Sequence, residues 1–187
     1  MGSEEKVSRP PGFPAGAATL GLIAVAAYIG AIVAANWLTA RYGFIPVGFG
    51  LTATAGTYAA GFAFVFRNLT QEAFGRVWVL AAIVAGAALS WWLSTPVLAV
   101  ASGVTFLVSE TTDWAVYTPL RRRGWVKAAA AGNVCGFTID TFFFLYLAGF
   151  PVLAAAPGQL VGKAYATVIY LGIGRAVLRH TIKPAGA

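Results

Sequence analysis

Four ionisable residues stand inside long apolar stretches of the sequence: Glu110, Asp113, Asp140 and Lys163. Insertion scales assign a cost of about 2.5 to 3.5 kcal/mol to each such charge at the centre of a membrane helix. Charges in these positions line solute or proton pathways, or they pair with one another. The four residues therefore predict either a polar cavity for a solute or proton, or ion pairs that only hold helices together.

Helical spacing places each charge beside other polar or aromatic side chains. Residues three, four and seven apart share one face of a helix. The resulting stripes are Phe106, Glu110, Asp113, Trp114 and Tyr117; Asn133, Gly136, Asp140 and Phe144; and Gln159, Lys163, Thr167 and Tyr170. Each stripe combines a charge with amides, hydroxyls or aromatic rings, a combination that suits a planar solute with hydrogen-bonding edges.

Two acids also have a peripheral interpretation. Counted from the start of its span, Asp113 lies about 24 Å into a membrane core about 30 Å thick. There it is expected to snorkel to the interface or to pair with Arg121–Arg123. Glu72 lies in the segment 67–76, which we interpret as a loop, and is expected to be solvated or to pair with Arg76. Both acids are candidates for gating or proton coupling.

The other reactive residues do not favour catalysis. Cys135 is the only cysteine and His180 the only histidine, so we expect no intrachain disulfide and no His or Cys metal cluster. No Ser, His and Asp set is apparent either. We therefore predict a protein that is not an enzyme and that has no catalytic residue, cofactor or metal.

The composition is that of a membrane protein. Hydrophobic residues make up 59% of the 187 residues and charged residues only 10%, compared with about 25% charged in soluble domains. About 20 apolar residues cross a bilayer. We predict an all-α integral membrane protein with one transmembrane domain over 17–180, a disordered cytosolic tail over 1–16 and a short cytosolic tail over 181–187. The six predicted spans are 17–38, 48–66, 77–93, 97–117, 128–149 and 158–179.

The basic residues predict the orientation. One set of connections, together with the two tails, holds Lys6, Arg9, Arg67, Arg76, Arg121–Arg123, Lys127, Arg175, Arg179 and Lys183. The opposite set holds only Arg41. The positive-inside rule then places both termini in the cytosol, as an even number of spans requires. We expect a multi-pass protein of the cell inner membrane, surrounded by lipid, whose net charge of +7 orients it and does not indicate a nucleic-acid partner.

The segment 107–150 resembles the family of queuosine precursor transporters, also known as the VUT or vitamin uptake transporter family. The residues that carry the resemblance are Ser109, Glu110, Asp113, Arg121–Arg123, Asn133, Ile139, Asp140, Thr141 and Phe144. Weaker matches are Asn36, Leu69, Glu72 and Gly75, and the segment 159–170 with Lys163. Asn68 stands where the family usually has Asp, which is a departure from its pattern.

The resemblance implies a six-helix bundle, similar to the substrate-capture subunits of energy-coupling factor transporters, that imports 7-deazaguanine precursors of queuosine. Asp140 or Glu110 would then accept two hydrogen bonds from the guanine-like edge of the solute. The remaining polar edge would be bound by Asn133, Gln159 and Lys163, and the ring would stack on Phe144 or Trp114.

Two alternatives remain open from the sequence. The first is a substrate-capture subunit for a vitamin, for which Ala27, Ala31 and Ala35 would form the docking face for an energy-coupling complex, although helix packing explains this stripe equally well. The second is a structural membrane protein whose acids and Lys163 only form ion pairs. A second copy of the chain or an energy-coupling complex is the expected protein partner.

Overall fold

The computed structural model describes residues 17–181; the predicted tail over 1–16, and all but the first residue of the one over 181–187, lie outside the described residues. Six α-helices account for most of this range. They are α1 Ala17–Tyr42, α2 Thr57–Phe74, α3 Arg76–Leu93, α4 Pro96–Leu120, α5 Trp125–Leu147 and α6 Val152–Thr181. A 3-10 turn, Arg121–Arg123, joins α4 to α5, and two antiparallel strands, β1 Phe44–Gly48 and β2 Leu51–Thr54, form a hairpin between α1 and α2.

Four helical segments are long and apolar enough to cross a membrane: Thr19–Tyr42, Arg76–Leu93, Val126–Leu147 and Val152–Ile169. Large apolar side chains such as Ile23, Val84 and Leu153 are exposed on the outside of the bundle, as lipid contact requires. The fold is therefore compatible with a membrane protein. Helices α2 and α4 are not among the four. Helix α2 contains the buried Arg67, and α4 contains the buried Glu110 and Asp113.

The predicted second span, 48–66, is wrong at both ends. Its first residues belong to the hairpin, because Gly48, Phe49 and Gly50 all have positive φ values of 96°, 54° and 70° and so turn the chain. Helix α2 then begins at Thr57 and continues to Phe74, through most of the segment predicted to be a loop. It ends at Gly75, whose φ of 84° breaks the helix. Arg67 is consequently a buried helical residue.

Short connections make consecutive helices antiparallel neighbours. One end of the bundle holds the hairpin and the α3–α4 and α5–α6 connections, and we call it the hairpin end. The other holds the α2–α3 connection and the turn Arg121–Arg123, and we call it the arginine end. Strand β2 packs on α6, where a Cβ at Gly158 would overlap the carbonyl group of Thr52. The hairpin therefore lies directly against the bundle.

An apolar layer crosses the middle of the bundle. It consists of Tyr28, Ala31, Ile32, Ala63, Phe64, Val79, Ala82, Ile83, Phe106 and Phe137. Ala31 and Ala35 are buried inside the bundle, so they serve helix packing. They do not form a docking face on the surface. Polar side chains are buried on both sides of this layer.

Candidate functional site

A polar cavity lies on the hairpin side of the apolar layer. It has a volume of about 20 Å³, room for about one water molecule, between α1, β2, α2, α4, α5 and α6. Its lining residues are Ala35, Asn36, Thr39, Thr54, Gly56, Thr57, Ala60, Ser102, Phe106, Asp140, Phe144, Gln159 and Lys163. The space consists of narrow gaps between side chains, so a bicyclic ring enters only if some of them move.

The charged part of the cavity wall is the ion pair between Asp140 of α5 and Lys163 of α6. The Lys163 ammonium donates to the Asp140 carboxylate and, at 2.9 Å, to the hydroxyl of Thr141. Lys163 is 1% exposed and Asp140 is 4% exposed. This pair is electrically neutral and lies directly beside the cavity, so it presents a hydrogen-bonding surface without net charge.

Hydrogen bonds tie the hairpin to the cavity. Gln159 Nε2 donates to Thr54 Oγ1 at 3.0 Å, and the hydroxyls of Thr54 and Thr57 lie 3.1 Å apart. The amide of Gly56 donates to Thr39 Oγ1 at 3.2 Å. The chain between α1 and α2 thus covers the cavity at the hairpin end and is held there by side chains of α1 and α6.

Asn36 joins three helices at the cavity. Its Nδ2 donates to Ser90 Oγ of α3 at 3.0 Å, and its Oδ1 accepts from Ser102 Oγ of α4 at 2.5 Å. Hydrogen bonds of this kind hold membrane helices together at roughly 0.5 to 2 kcal/mol each. The sequence pointed to Asn36 only through the family resemblance.

A second polar cluster lies on the arginine side of the apolar layer and is built around Arg67; we call it the arginine cluster. Arg67 Nε donates to Glu110, and Arg67 Nη1 contacts Asp113 and donates to Asn68 Oδ1 at 2.6 Å. The Tyr28 hydroxyl donates to Glu110 at 3.3 Å. Arg67, Glu110 and Asp113 are at most 1% exposed. Asp113 is therefore paired inside the bundle, and its predicted pairing with Arg121–Arg123 is wrong.

Helix α5 completes the arginine cluster. Asn68 Nδ2 donates to Asn133 Oδ1 at 3.1 Å. The Asp113 carboxylate lies so close to α5 that a Cβ at Gly132 would overlap its Oδ1. Glycine at this position is what allows the two helices to approach with a carboxylate between them.

Trp114 is engaged by its neighbours in the arginine cluster. Its indole nitrogen donates to Gln71 Oε1 at 2.5 Å. The guanidinium carbons of Arg76 and Arg67 lie 5.2 Å and 5.8 Å from its ring centroid, within the range of cation–π attraction. Trp114 therefore does not line the cavity.

Glu72 lies at the arginine end. It accepts from the Tyr117 hydroxyl and, at 3.0 Å, from Arg121 Nε. The hydrogen bond to Glu72 raises the pKa of the Arg121 guanidinium. Arg76 instead donates to Thr118 at 2.9 Å, so the predicted pairing of Glu72 with Arg76 is wrong, whereas the Glu72 side chain is 22% exposed and so partly solvated.

The predicted solute-binding residues thus separate into two groups. Asp140, Lys163, Gln159 and Phe144 meet at the cavity, whereas Glu110, Asn133 and Trp114 lie with Asp113 in the arginine cluster. Sequence reasoning missed Arg67, because the span was ended at Phe66. Extending the helical pattern of the second span beyond Phe66 would have predicted Arg67 as a helical residue, because Arg67 and Gln71 are one turn apart on the same face.

Comparison of the chain with family models, with curated proteins and with solved structures finds no match. Among the described residues, no group of three or more His, Cys, Asp or Glu side chains is arranged to hold a metal ion. None of the three comparisons therefore tests a function for the chain.

Proposed function

We propose that the chain is a multi-pass membrane transporter that imports a 7-deazaguanine precursor of queuosine through the cavity at the hairpin end. The observation that carries the proposal is the neutral Asp140–Lys163 pair, buried in the wall of an enclosed polar cavity inside a six-helix bundle. The family resemblance of the segments around both residues supplies the solute class.

Six spans are part of the proposal. Helices α2 and α4 carry Arg67, Glu110 and Asp113, and these charges face one another inside the bundle. This pairing lowers the free-energy cost of placing these charges, and therefore the two helices, inside a membrane. On the outer side α4 exposes apolar side chains, including Val100, Val104 and Leu107. This pattern supports counting both helices as spans.

Both termini are proposed to be cytosolic. Arg67 is buried and no longer counts as a basic residue of a connection, but basic residues remain more numerous at the arginine end than at the hairpin end. The arginine end still holds the exposed residues Arg76, Arg121–Arg123 and Lys127, whereas the hairpin end holds only Arg41 among the described residues. The cavity then lies on the outer side of the apolar layer, beneath the hairpin that covers it, on the side from which an imported solute arrives.

The chemistry of the cavity suits a guanine-like ring. The Asp140 carboxylate can accept two hydrogen bonds from a ring N–H and an exocyclic amine. Lys163 and the Gln159 amide can donate to the carbonyl on the same edge. Phe106 and Phe144 supply aromatic surface in the wall. A neutral pair suits a solute without strong charge, because binding then leaves no buried charge unbalanced.

The test uses cells that lack both precursor synthesis and their own precursor transporter. Expression of the chain with a low supply of precursor is expected to restore queuosine in tRNA. Asp140→Asn is expected to abolish the rescue, whereas Thr138→Val, on the same helix but outside the cavity lining, is expected to retain it. No rescue with the protein present in the membrane would contradict the function. Rescue that survives Asp140→Ala would instead place the solute away from the cavity.

A liposome assay separates this function from a vitamin-capture subunit. Such a subunit depends on an energy-coupling ATPase, whereas the proposed transporter works by itself. Uptake by the purified chain in liposomes without any ATPase would therefore exclude the capture-subunit alternative.

A further inference from the structure

We propose that Glu110 and Asp113 together bind one proton and that this proton is the ion whose movement drives import. The proton site stands on the geometry of the arginine cluster alone. The coupling to import rests on the proposed function.

The first argument is the balance of buried charge. One guanidinium, that of Arg67, contacts two carboxylates, and all three groups are at most 1% exposed. Without a further cation the cluster carries one excess negative charge in a setting where an unbalanced charge costs several kcal/mol. Two carboxylates on one site relieve this cost by sharing a proton. The Asp140–Lys163 pair has no such excess.

The second argument is hydrogen bonding. Glu110 accepts from Arg67 Nε and from the Tyr28 hydroxyl. Asp113 Oδ2 contacts only Arg67 Nη1, and Asp113 Oδ1 has no hydrogen-bond partner among the described residues. Two further buried donors of the arginine cluster, Arg67 Nη2 and Asn133 Nδ2, are also without partners there. Asp113 thus has one contact, to a guanidinium that it shares with Glu110, so a full charge on both buried carboxylates is poorly compensated and a proton on the pair relieves this.

The unpartnered donors also define a second state. When the proton leaves, Arg67 Nη2 and Asn133 Nδ2 are the groups that can turn toward the Asp113 carboxylate and stabilise its charge. The arginine cluster therefore has one arrangement for the protonated pair and another for the ionised pair. Two such states are what coupling of a proton to a conformational change requires.

Few charged or titratable groups face Glu110 and Asp113, so few can balance their charge or exchange their proton. Tyr28 faces it from α1, Arg67 from α2 and the neutral Asn133 from α5. The only charged residue of α3, Arg76, contacts Trp114 and Thr118. Asp140 is held by Lys163 on the far side of the apolar layer, and Glu72 by Arg121 toward the arginine end. The pair is thus the only acidic site without a full counter-charge among the described residues.

A physical link to the cavity runs through Phe106. It lines the cavity, lies one turn before Glu110 on α4, and packs edge-on against Phe64 with ring centroids 6.2 Å apart. A shift of α4 at Phe106 that admits a solute would therefore also move Glu110, one turn further along the same helix. In import, the proton would arrive from the outside with the solute and leave to the cytosol at the arginine end.

The proton site is tested without any solute. Infrared spectra of the purified protein at neutral pH are expected to show the carbonyl band of a buried carboxylic acid that shifts in heavy water. The band should disappear in Glu110→Gln/Asp113→Asn and persist in Asp140→Asn. If the double variant does not fold, Asp113→Asn alone decides, because one proton is shared by the pair. A wild-type spectrum without the band, or a band that the variants leave in place, overturns the site.

The coupling is tested in liposomes with a radiolabelled 7-deazaguanine. An inward proton gradient is expected to raise the wild-type uptake several-fold, whereas Asp113→Asn should retain exchange of labelled for unlabelled solute and lose the stimulation. Exchange without stimulation in the wild type overturns the coupling and leaves the proposed function intact. Absence of any exchange contradicts the proposed function, and the infrared band still decides the proton site.

Discussion

Both buried ionic clusters pair a basic side chain with carboxylates, but their charges balance only in the cluster at the cavity. At the cavity, one ammonium faces one carboxylate, and the pair adjoins open space. In the arginine cluster, one guanidinium serves two carboxylates and several polar atoms have no partner among the described residues. The apolar layer around Phe64 and Phe106 separates them.

This difference fits the two proposed roles, solute binding at the cavity and proton binding in the arginine cluster. A balanced pair can exchange one of its hydrogen bonds for a solute and recover it afterwards, because its charge stays neutral throughout. An unbalanced cluster responds to a cation, since a proton is the smallest change that removes its excess charge. A purely structural pair of clusters would have no reason to differ in this way, and the following variants test the difference.

Removal of the Arg67 guanidinium should have the largest effect. Arg67→Met leaves the Glu110–Asp113 pair, even with its proton, with one buried negative charge that has no counter-charge, and it also removes the donor to Asn68. Breaking one buried pair alone costs about 3 to 5 kcal/mol. We expect a loss of stability at or above the upper end of that range, measured as the midpoint of unfolding in detergent.

A matched triple variant identifies the cause of that loss. Arg67→Met combined with Glu110→Gln and Asp113→Asn removes all three charges, so it should recover most of the stability. If the single variant is as stable as the wild type, the excess negative charge assigned to the arginine cluster is wrong.

Lys163→Met should cost about 3 kcal/mol, because Asp140 is then unpaired but can take up a proton beside the cavity. The double variant Lys163→Met/Asp140→Asn should recover the stability without recovering uptake. Stability and tRNA queuosine are measured on the same variants. Recovery of uptake in the double variant would show that the pair only joins α5 to α6.

The charges inside apolar segments were readable from the sequence because each is costly and must be explained. An ion pair between Lys163 and one of the intramembrane acids is among the predicted alternatives, and the structure identifies Asp140 as its partner. Which charges meet was not readable, because partners 43 residues apart, such as Arg67 and Glu110, depend on how the helices pack.

The errors have one local cause. The predicted second span ends at Phe66 because the next residue is charged. A helix inside a bundle can continue through polar residues when their side chains pair with those of neighbouring helices. The hairpin was missed for a related reason. Residues 44–54 are as apolar as a span, and only the turn at Gly48–Gly50 distinguishes them.

Gly132→Ala should have an intermediate effect. The added methyl group overlaps Asp113 Oδ1, so α4 and α5 must move apart, at a cost of about 1 to 3 kcal/mol. Gly30→Ala is the matched control, because nothing lies within 4 Å of a Cβ there and alanine favours a helix. Equal midpoints of unfolding for the two variants would mean that α5 does not press on the arginine cluster.

Glu72→Gln should cause the smallest loss of stability among these variants, because its ion pair lies at the partly exposed arginine end. The pair with Arg121 is partly exposed, at 22% and 44% of the two side chains, so it is worth less than about 1 kcal/mol and is weakened by salt. The glutamine oxygen can still accept from Tyr117, which preserves the buried part of the contact. The midpoint of unfolding should therefore fall slightly at low salt and not at all at high salt. A large, salt-independent loss would make Glu72 part of the arginine cluster, and the excess negative charge assigned to Glu110 and Asp113 would then have to be shared among three carboxylates.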